Sequence, residues 1–542
     1  MLARAYRWFD RTILELGREF RLSYLPPLMV YVAYGVSGLT AIVGTFFVKD
    51  YLGLSAEFLA ALGFWAGIPW ALKMPLGHLV DLIWRYKAGL VYLGACLTAA
   101  SLLIMVGLLS HPDAMGAFMP VEAWFVLSTL LAPVGFVVQD VVADAMTVEA
   151  VPLLDRDGQP FSAGTKRLMH TTMQTLGRVA IIGGTVFVAL LNVFMFAGVE
   201  ALDEQAKLQI YIRIYEIALV IPVVSVAGVL LSGMLKRREL QRLRSHGIET
   251  ATATDMVHGQ IERTQPNWWI LGGSLVFAIF TLTMGISQVP FAQEIIFLGS
   301  MAIILFLMYR LMLELDPEMR NMLIGTAVII FVFRATPLPG PGATWFEIDV
   351  LGFDQQFLSV LSLIASLLTL VGMVVLRPMM ARRSIAYVIV ILTIASAILA
   401  LPNIGLYYGL HEWTAAHTGG VVDARFIAVI DTMMESPLGQ ISMIPMLAWI
   451  AKNAPAHLKA TFFAVMASFT NLALSASSLG TRYLNEFYTV TREVRDRVDD
   501  IVTTAADYSE LGWVLITVML IGLLAPLLTV FIVQRSRLHT TQ

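Results

Sequence analysis

Apolar runs of about twenty residues, each long enough to cross the hydrocarbon core of a bilayer as a helix, recur along this chain. They fall near 25–48, 56–83, 88–110, 122–150, 167–193, 208–234, 267–289, 292–314, 321–338, 357–376, 384–407, 426–450, 457–480 and 511–534, so fourteen transmembrane helices are expected. Composition points the same way. With 58% hydrophobic and only 14% charged residues, a chain of 542 residues is an integral membrane protein and not a soluble one.

Loop charges orient such a chain, because Lys and Arg concentrate in cytoplasmic segments. Arg4, Arg7, Arg11, Arg18 and Arg21 precede the first span and a basic cluster runs from Lys236 to Arg244. Both termini are therefore expected in the cytoplasm of a multi-pass cell-membrane protein. Residues 1–24, in which Tyr6, Trp8, Phe9, Ile13 and Leu16 interleave with arginines, read as an amphipathic segment lying on the cytoplasmic leaflet. The long basic stretch divides the rest: an N-terminal six-helix bundle over 25–234, a cytoplasmic basic linker over 235–266, an inserted helix pair over 267–320 and a C-terminal six-helix bundle over 321–535. From Arg492 to Glu510 charges alternate without a bilayer-length apolar run, which predicts a solvated external helix. Cys96 is the only cysteine, so an intramolecular disulfide or a cysteine metal site is excluded. No GxxxxGK[ST] loop is present, which argues against ATP-driven transport by this chain alone. No cofactor is expected, and no nucleophile, base and orienting group fall at spacings that suggest an enzyme.

A charge at the centre of a membrane helix costs about 2.5–3.5 kcal/mol on insertion scales, so charged residues found there face water, a ligand or a counter-ion. The span over 122–150 ends in Gln139-Asp140-Val-Val-Ala-Asp144-Ala-Met-Thr-Val-Glu149. Asp140 and Asp144, four apart, share one helix face; Asp144 is near enough to the cytoplasmic end for simple solvation to be the alternative. In the next span His170, Gln174 and Arg178 repeat every four residues. Arg178 lies about 18 Å along the helix from Lys166, close to mid-bilayer, where an ion pair or an anionic ligand is the better explanation. His170 is within about a turn of the cytosol and reads as solvated. Lys73 stands between Pro69 and Pro75, prolines that loosen the backbone ladder around it.

The second half repeats the theme. Arg334 precedes the Pro337 to Pro341 segment that ends its helix, with an interfacial position as the alternative. Asp431 and Glu435 are again four apart, Asp431 in the outer turns and open to solvation, Glu435 deeper and expected to be paired; Gln440 follows. Substrate contacts are thus expected from Arg178, Arg334, Gln174, Lys73 and Gln440, and proton coupling from Asp140, Asp144, Glu435 and Asp431.

After the second span, Gly77-His-Leu-Val-Asp81-Leu-Ile-Trp-Arg85-Tyr-Lys87 resembles motif A of the major facilitator superfamily, in which an Asp near a helix end meets basic residues and gates the cytoplasmic side. Gly77, Asp81, Arg85 and Lys87 are the gating candidates. The matching loop of the second half, Leu376 to Arg383, keeps the positive charge without the Asp.

Ordered blocks add specificity. Ile68-Pro-Trp-Ala-Leu-Lys73-Met-Pro-Leu-Gly77 with Asp81, Gln139 to Glu149, Phe333-Arg-Ala-Thr336-Pro337 through Leu351-Gly-Phe353, and Leu438-Gly439-Gln440 through Asn471 together resemble the folate-biopterin transporter family, a branch of the major facilitator superfamily. The resemblance implies an all-α polytopic major facilitator fold of two six-helix bundles, here with an inserted pair. It also implies proton-coupled movement of a pterin, a folate or another organic anion by alternating access, with functional charges at Lys73, Asp81, Asp140, Asp144 and Arg178. An aromatic wall from Trp65 or Trp70 would suit a pterin. Arg334 departs from the family, which has a neutral residue there, and the inserted pair is not part of the family's common core. Muropeptide carriers of related branches, and non-transporting membrane assembly factors, are the alternatives. The partners expected are therefore a small organic anion, protons and the lipid bilayer.

Overall fold

A computed structural model describes residues 20–47, 56–71, 73–152, 161–199, 202–245, 247–258, 268–286, 289–313, 315–375, 383–435, 459–495 and 502–539. The chain is almost wholly helical. Two short helices, Pro112–Gly116 and Leu410–His417, are left unnumbered; of the others the first seven are α1 (Leu25–Gly35), α2 (Ala41–Phe47), α3 (Ala56–Ala71), α4 (Lys73–Leu82), α5 (Ala88–Ser110), α6 (Val121–Ala150) and α7 (Ala163–Met195). Then come α8 (Glu204–Ala218), α9 (Val220–Ser245), α10 (Thr250–His258), α11 (Trp268–Ile286), α12 (Ala292–Met312), α13 (Pro317–Arg334) and α14 (Pro341–Asp349). The last five are α15 (Gln355–Val375), α16 (Ile385–Tyr407), α17 (Ala424–Glu435), α18 (Lys459–Phe487) and α19 (Leu511–Arg535). Among the described residues, nine helical stretches are long and apolar enough to cross a membrane.

Several expected spans are subdivided. The first passes from α1 through a 3-10 segment, Val36–Thr40, into α2. The Gly35, Ser37 and Gly38 sequence there weakens the α-helix. Of the second, residues 56–71 form α3 and residues 73–82 form α4. The span expected over 208–234 runs on into the basic cluster: α8, capped by the Asp203 side chain on Ala206 N–H at 2.7 Å, is followed after Leu219 by α9, whose last turns carry Lys236 to Arg244. The start of the expected linker is therefore helical.

The segment over 492–510 does not form the helix expected of it. Val494–Arg495 (β1) pairs antiparallel with Val502–Thr504 (β2), and Thr491 bridges Asp507. Threonine and valine at 489–491 and 502–504 explain the difference, since β-branched side chains favour strands over helix. Nor is this segment merely solvated. Val490 and Arg492 are buried, and the Arg492 guanidinium sits 5.4 Å from the centre of the Trp345 ring on α14.

Glycines set how closely helices approach. A Cβ on Gly184 of α7 would lie 2.7 Å from the Gly35 Cα of α1, and one on Gly94 of α5 would lie 2.6 Å from the Gly135 carbonyl oxygen of α6. These two pairs therefore meet backbone to backbone. The inserted pair packs into the body of the molecule. Ile304, Leu307, Met308 and Met312 of α12 share one core with Leu323 of α13, Ile389 of α16 and Leu472 of α18. Ile296, also on α12, is fully buried with Phe64 and Ile68 of α3 and Leu479 of α18.

Candidate functional site

Lys73 of α4 faces the polar stripe of α6. Its ammonium lies 2.6 Å from Asp140 Oδ2 and 2.8 Å from Asp144 Oδ2, so one lysine serves both carboxylates. The i, i+4 spacing read from sequence makes this double pairing possible. Tyr31 of α1 donates its hydroxyl proton to the other oxygen of Asp144, at 2.5 Å. The two acids differ in setting: the Asp140 side chain is 8% exposed, that of Asp144 47%.

Arg178 of α7 lies within electrostatic range of Asp140, Asp144, Tyr31 and Tyr34. It is exposed and makes no ion pair with a described residue. The preceding Gly177 is what lets Tyr31 reach the cluster, since a Cβ there would come within 2.8 Å of the Tyr31 ring. Beside these charges stands an aromatic group. The Tyr34 ring is 5.4 Å from Trp70 and 6.0 Å from Phe136, centre to centre. Of the two tryptophans considered as a wall, Trp70 is thus beside the charges, whereas Trp65 packs with Phe64 against the inserted pair. The second half reaches this region through Asn471, whose amide donates to the Trp70 carbonyl at 3.1 Å.

The other candidates are dispersed. Arg334 ends α13; its Nε is buried with no hydrogen-bond partner. Asp431 of α17, for which solvation was the alternative, is buried and accepts a hydrogen bond from Asn403 of α16 at 2.8 Å. It also lies within electrostatic range of Glu347 on α14, in the segment connecting two spans. The Glu347 carboxyl is pushed up to about 7 by burial, and further by the negative Asp431. Gln440 lies outside the described residues, as do the side chains of Gln174, Glu435, Asp81 and Arg85. Gly77 is in mid-α4 with open space where its Cβ would be. Lys87 is buried, stacks 3.9 Å from the Trp84 ring centre and pairs with Glu149 Oε1. Lys236 of α9 holds the opposite Glu149 oxygen at 2.7 Å.

Tyr31, Glu347, Asn403 and Lys236 were not foreseen, nor was the bridging role of Glu149. The signals used were polar residues every four positions, the motif after the second span and charges deep in apolar runs, and none of these singles them out. A cavity of about 680 Å³ lies at the opposite end of the molecule from Lys87, between Thr45, Gly63 and Phe125 on one side and the 338–345 segment and Ser478 on the other. Phe125 stands fifteen residues before Asp140 on the same helix, so the cavity is about 22 Å from the charge cluster along α6.

The lysine shared by two helix-borne carboxylates, with an uncommitted arginine beside it, belongs to a sequence whose residues 34–541 match the BT1 family. The chain belongs to the BT1 family. A folate-biopterin transporter from Synechocystis sp. is 22% identical over 468 residues, which cover 86% of this chain and 75% of that protein. Among solved structures, a POT family transporter in complex with 5-aminolevulinic acid aligns with a TM-score of 0.58 at 12% identity, over 95% of this chain and 96% of that one. A peptide transporter, POT, in complex with sulfate gives 0.58 at 15% identity over 96% of both chains. A variant of the nucleoside transporter NupG gives 0.51 at 13% identity over 94% of this chain and 99% of that one. This member of the BT1 family is accordingly an all-α, multi-pass membrane protein of the major facilitator fold, and it is a transporter and not an enzyme.

Proposed function

We propose that this BT1 family member is a proton-coupled secondary transporter, set in a cell membrane with both termini cytoplasmic, that moves an organic anion of the folate or pterin class by alternating access. The observation that carries this reading is Lys73 shared by Asp140 and Asp144 beside Arg178, which pairs with none of the described residues. Two carboxylates and two cations balance when the site is empty. Adding an anionic substrate leaves one negative charge in excess, and a proton on one carboxylate removes it. Asp140 is the acceptor in this scheme. Asp144 is held as an anion by both Lys73 and Tyr31, whereas Asp140 has Lys73 alone and is the more buried. Protonated Asp140 releases Lys73 toward Asp144 and leaves Arg178 to receive the substrate's carboxylate, for which a guanidinium supplies a two-pronged donor.

The folate and pterin assignment draws on the name of the Synechocystis relative and on the Tyr34, Trp70 and Phe136 rings beside the charges. Arg334 is a second anion contact, and Glu149 with Lys87 and Lys236 forms part of the cytoplasmic gate. Uptake of labelled folate and biopterin into proteoliposomes, with and without an inward proton gradient, tests the scheme. Gradient-stimulated uptake is expected, with Arg178→Ala abolishing folate uptake and Asp140→Asn removing its dependence on the gradient. Uptake of neither compound by the wild type would overturn the substrate class; unchanged pH dependence in Asp140→Asn would remove Asp140 from coupling.

A further inference from the structure

We infer that the cavity at the end opposite Lys87 is a second ligand subsite, one that receives the flat, uncharged ring portion of the substrate; this rests on the transport reading above. Its volume of about 680 Å³ lies within the range of sites that enclose small organic ligands. Among the described residues, no ionisable residue lines it. A charged group entering there would lose hydration with no counter-ion to replace it, so the acidic part of a substrate is excluded and a neutral part is favoured. Phe125, Trp345, Leu59 and Leu338 supply apolar and aromatic wall, and the hydroxyls of Thr45 and Ser478 add a few polar positions. That mixture suits a planar heterocycle, which buries its faces and hydrogen-bonds along its edges.

The wall is built before any ligand arrives. Pro337, Pro339 and Pro341 fix φ at three of five consecutive positions. Between them, the Leu338 N–H donates to Thr481 Oγ1 at 2.9 Å and the Asn485 amide donates to the Pro339 carbonyl at 3.1 Å. The Ser477 hydroxyl donates to the Thr336 carbonyl at 2.6 Å. Gly340 takes φ +84°, a left-handed conformation that side chains disfavour, and its missing Cβ would sit 2.8 Å from the Asn485 amide nitrogen. A preformed wall spares a ligand the cost of ordering a loop. Phe125 at the cavity and Asp140 at the charge cluster are fifteen residues apart, about 22 Å along α6. A ring joined by a linker to an acidic tail spans that distance. The two sites thus read the two chemically distinct ends of one extended anion.

Protection of an introduced thiol tests the subsite without relying on transport. In a Cys96→Ser background, Thr344→Cys in the full-length protein in proteoliposomes is labelled with a membrane-impermeant thiol reagent, in the presence of biopterin, of the neutral bicycle quinazolinedione, or of glutamate. Both neutral rings are expected to slow labelling about tenfold at saturation, and glutamate to leave it unchanged. Gly63→Leu fills the cavity from the opposite wall and is expected to abolish protection; its elution as a single species and its melting temperature report whether it folds. Thr45→Trp, which fills from another wall, gives a second reading if Gly63→Leu fails to fold. Labelling that neither ring slows, protection by glutamate alone, or protection that survives filling would overturn the subsite. Failure of the transport reading is seen separately, as folate uptake unaffected by Arg178→Ala.

Discussion

Lys73 is the residue on which most depends, because it is the only cation within ion-pair distance of Asp140 and Asp144 among the described residues. Lys73→Met leaves a buried carboxylate, Asp140, and a half-exposed one, Asp144, without their partner, and breaking the buried pair costs about 3 kcal/mol. A clear fall in melting temperature together with loss of uptake is expected, with stability but not uptake recovered in the Lys73→Met, Asp140→Asn, Asp144→Asn triple variant. Glu347 gives a pH signature. Its carboxyl titrates at about 7 in the folded protein against 4.5 in the unfolded chain, so the folded state holds the proton more tightly. That contribution to stability is complete below pH 4.5 and is lost as pH rises from 4.5 to 7. Glu347→Gln should therefore flatten the decline in melting temperature across this window and melt higher than wild type at pH 8. Charges four apart on one helix were legible in the sequence, and so the Asp140 and Asp144 face was expected. Tyr31 was not, because a tyrosine in an apolar helix looks like any interfacial aromatic until its partner, 113 residues away, is in place. The same holds for Glu149, whose two lysines come from the residue before α5 and from α9.

Elements were legible where one residue type dominates and illegible where context decides. Bilayer-length apolar runs follow from local chemistry. The β-branched pairs near 490 and 503 were outweighed, in a sequence reading, by the alternating charges between them. The inserted pair is fastened at the end that carries Gln293 and Glu294. Arg482 of α18 donates to Gln293 and Glu294 at 3.3 Å, and Tyr483 also donates to Glu294; Gln293 in turn donates to the Ala61 carbonyl of α3 at 3.4 Å. With α12 otherwise sharing the core of α13, α16 and α18, the pair is expected to travel with the second bundle and to shift against α3. In a Cys96→Ser background, an oxidative cross-link between Ala61→Cys and Gln293→Cys should arrest uptake reversibly. A link between Glu294→Cys and Tyr483→Cys should leave uptake intact.

For the whole molecule, the close glycine contacts set which helices can move independently. Gly183 and Gly184 are neighbours in sequence, but a Cβ on Gly183 meets nothing within 4 Å while one on Gly184 collides with α1. Gly184→Ala should lower both melting temperature and uptake, and Gly183→Ala should change neither; a thermal-shift assay and an uptake assay decide it. Helices α1 and α7 thus behave as one rail, and α5 and α6 as another, because neither pair has side-chain cushioning through which to slide. Tyr31 and Arg178 ride on the first rail, Asp140 and Asp144 on the second. The Tyr31 hydroxyl on Asp144 consequently spans the joint between two stiff bodies, and Lys73 reaches that joint from a third. A proton or an anion arriving there acts on a mechanical coupling, where a small change in attraction alters how the rails lie against each other, and no helix need deform for the signal to travel its full length.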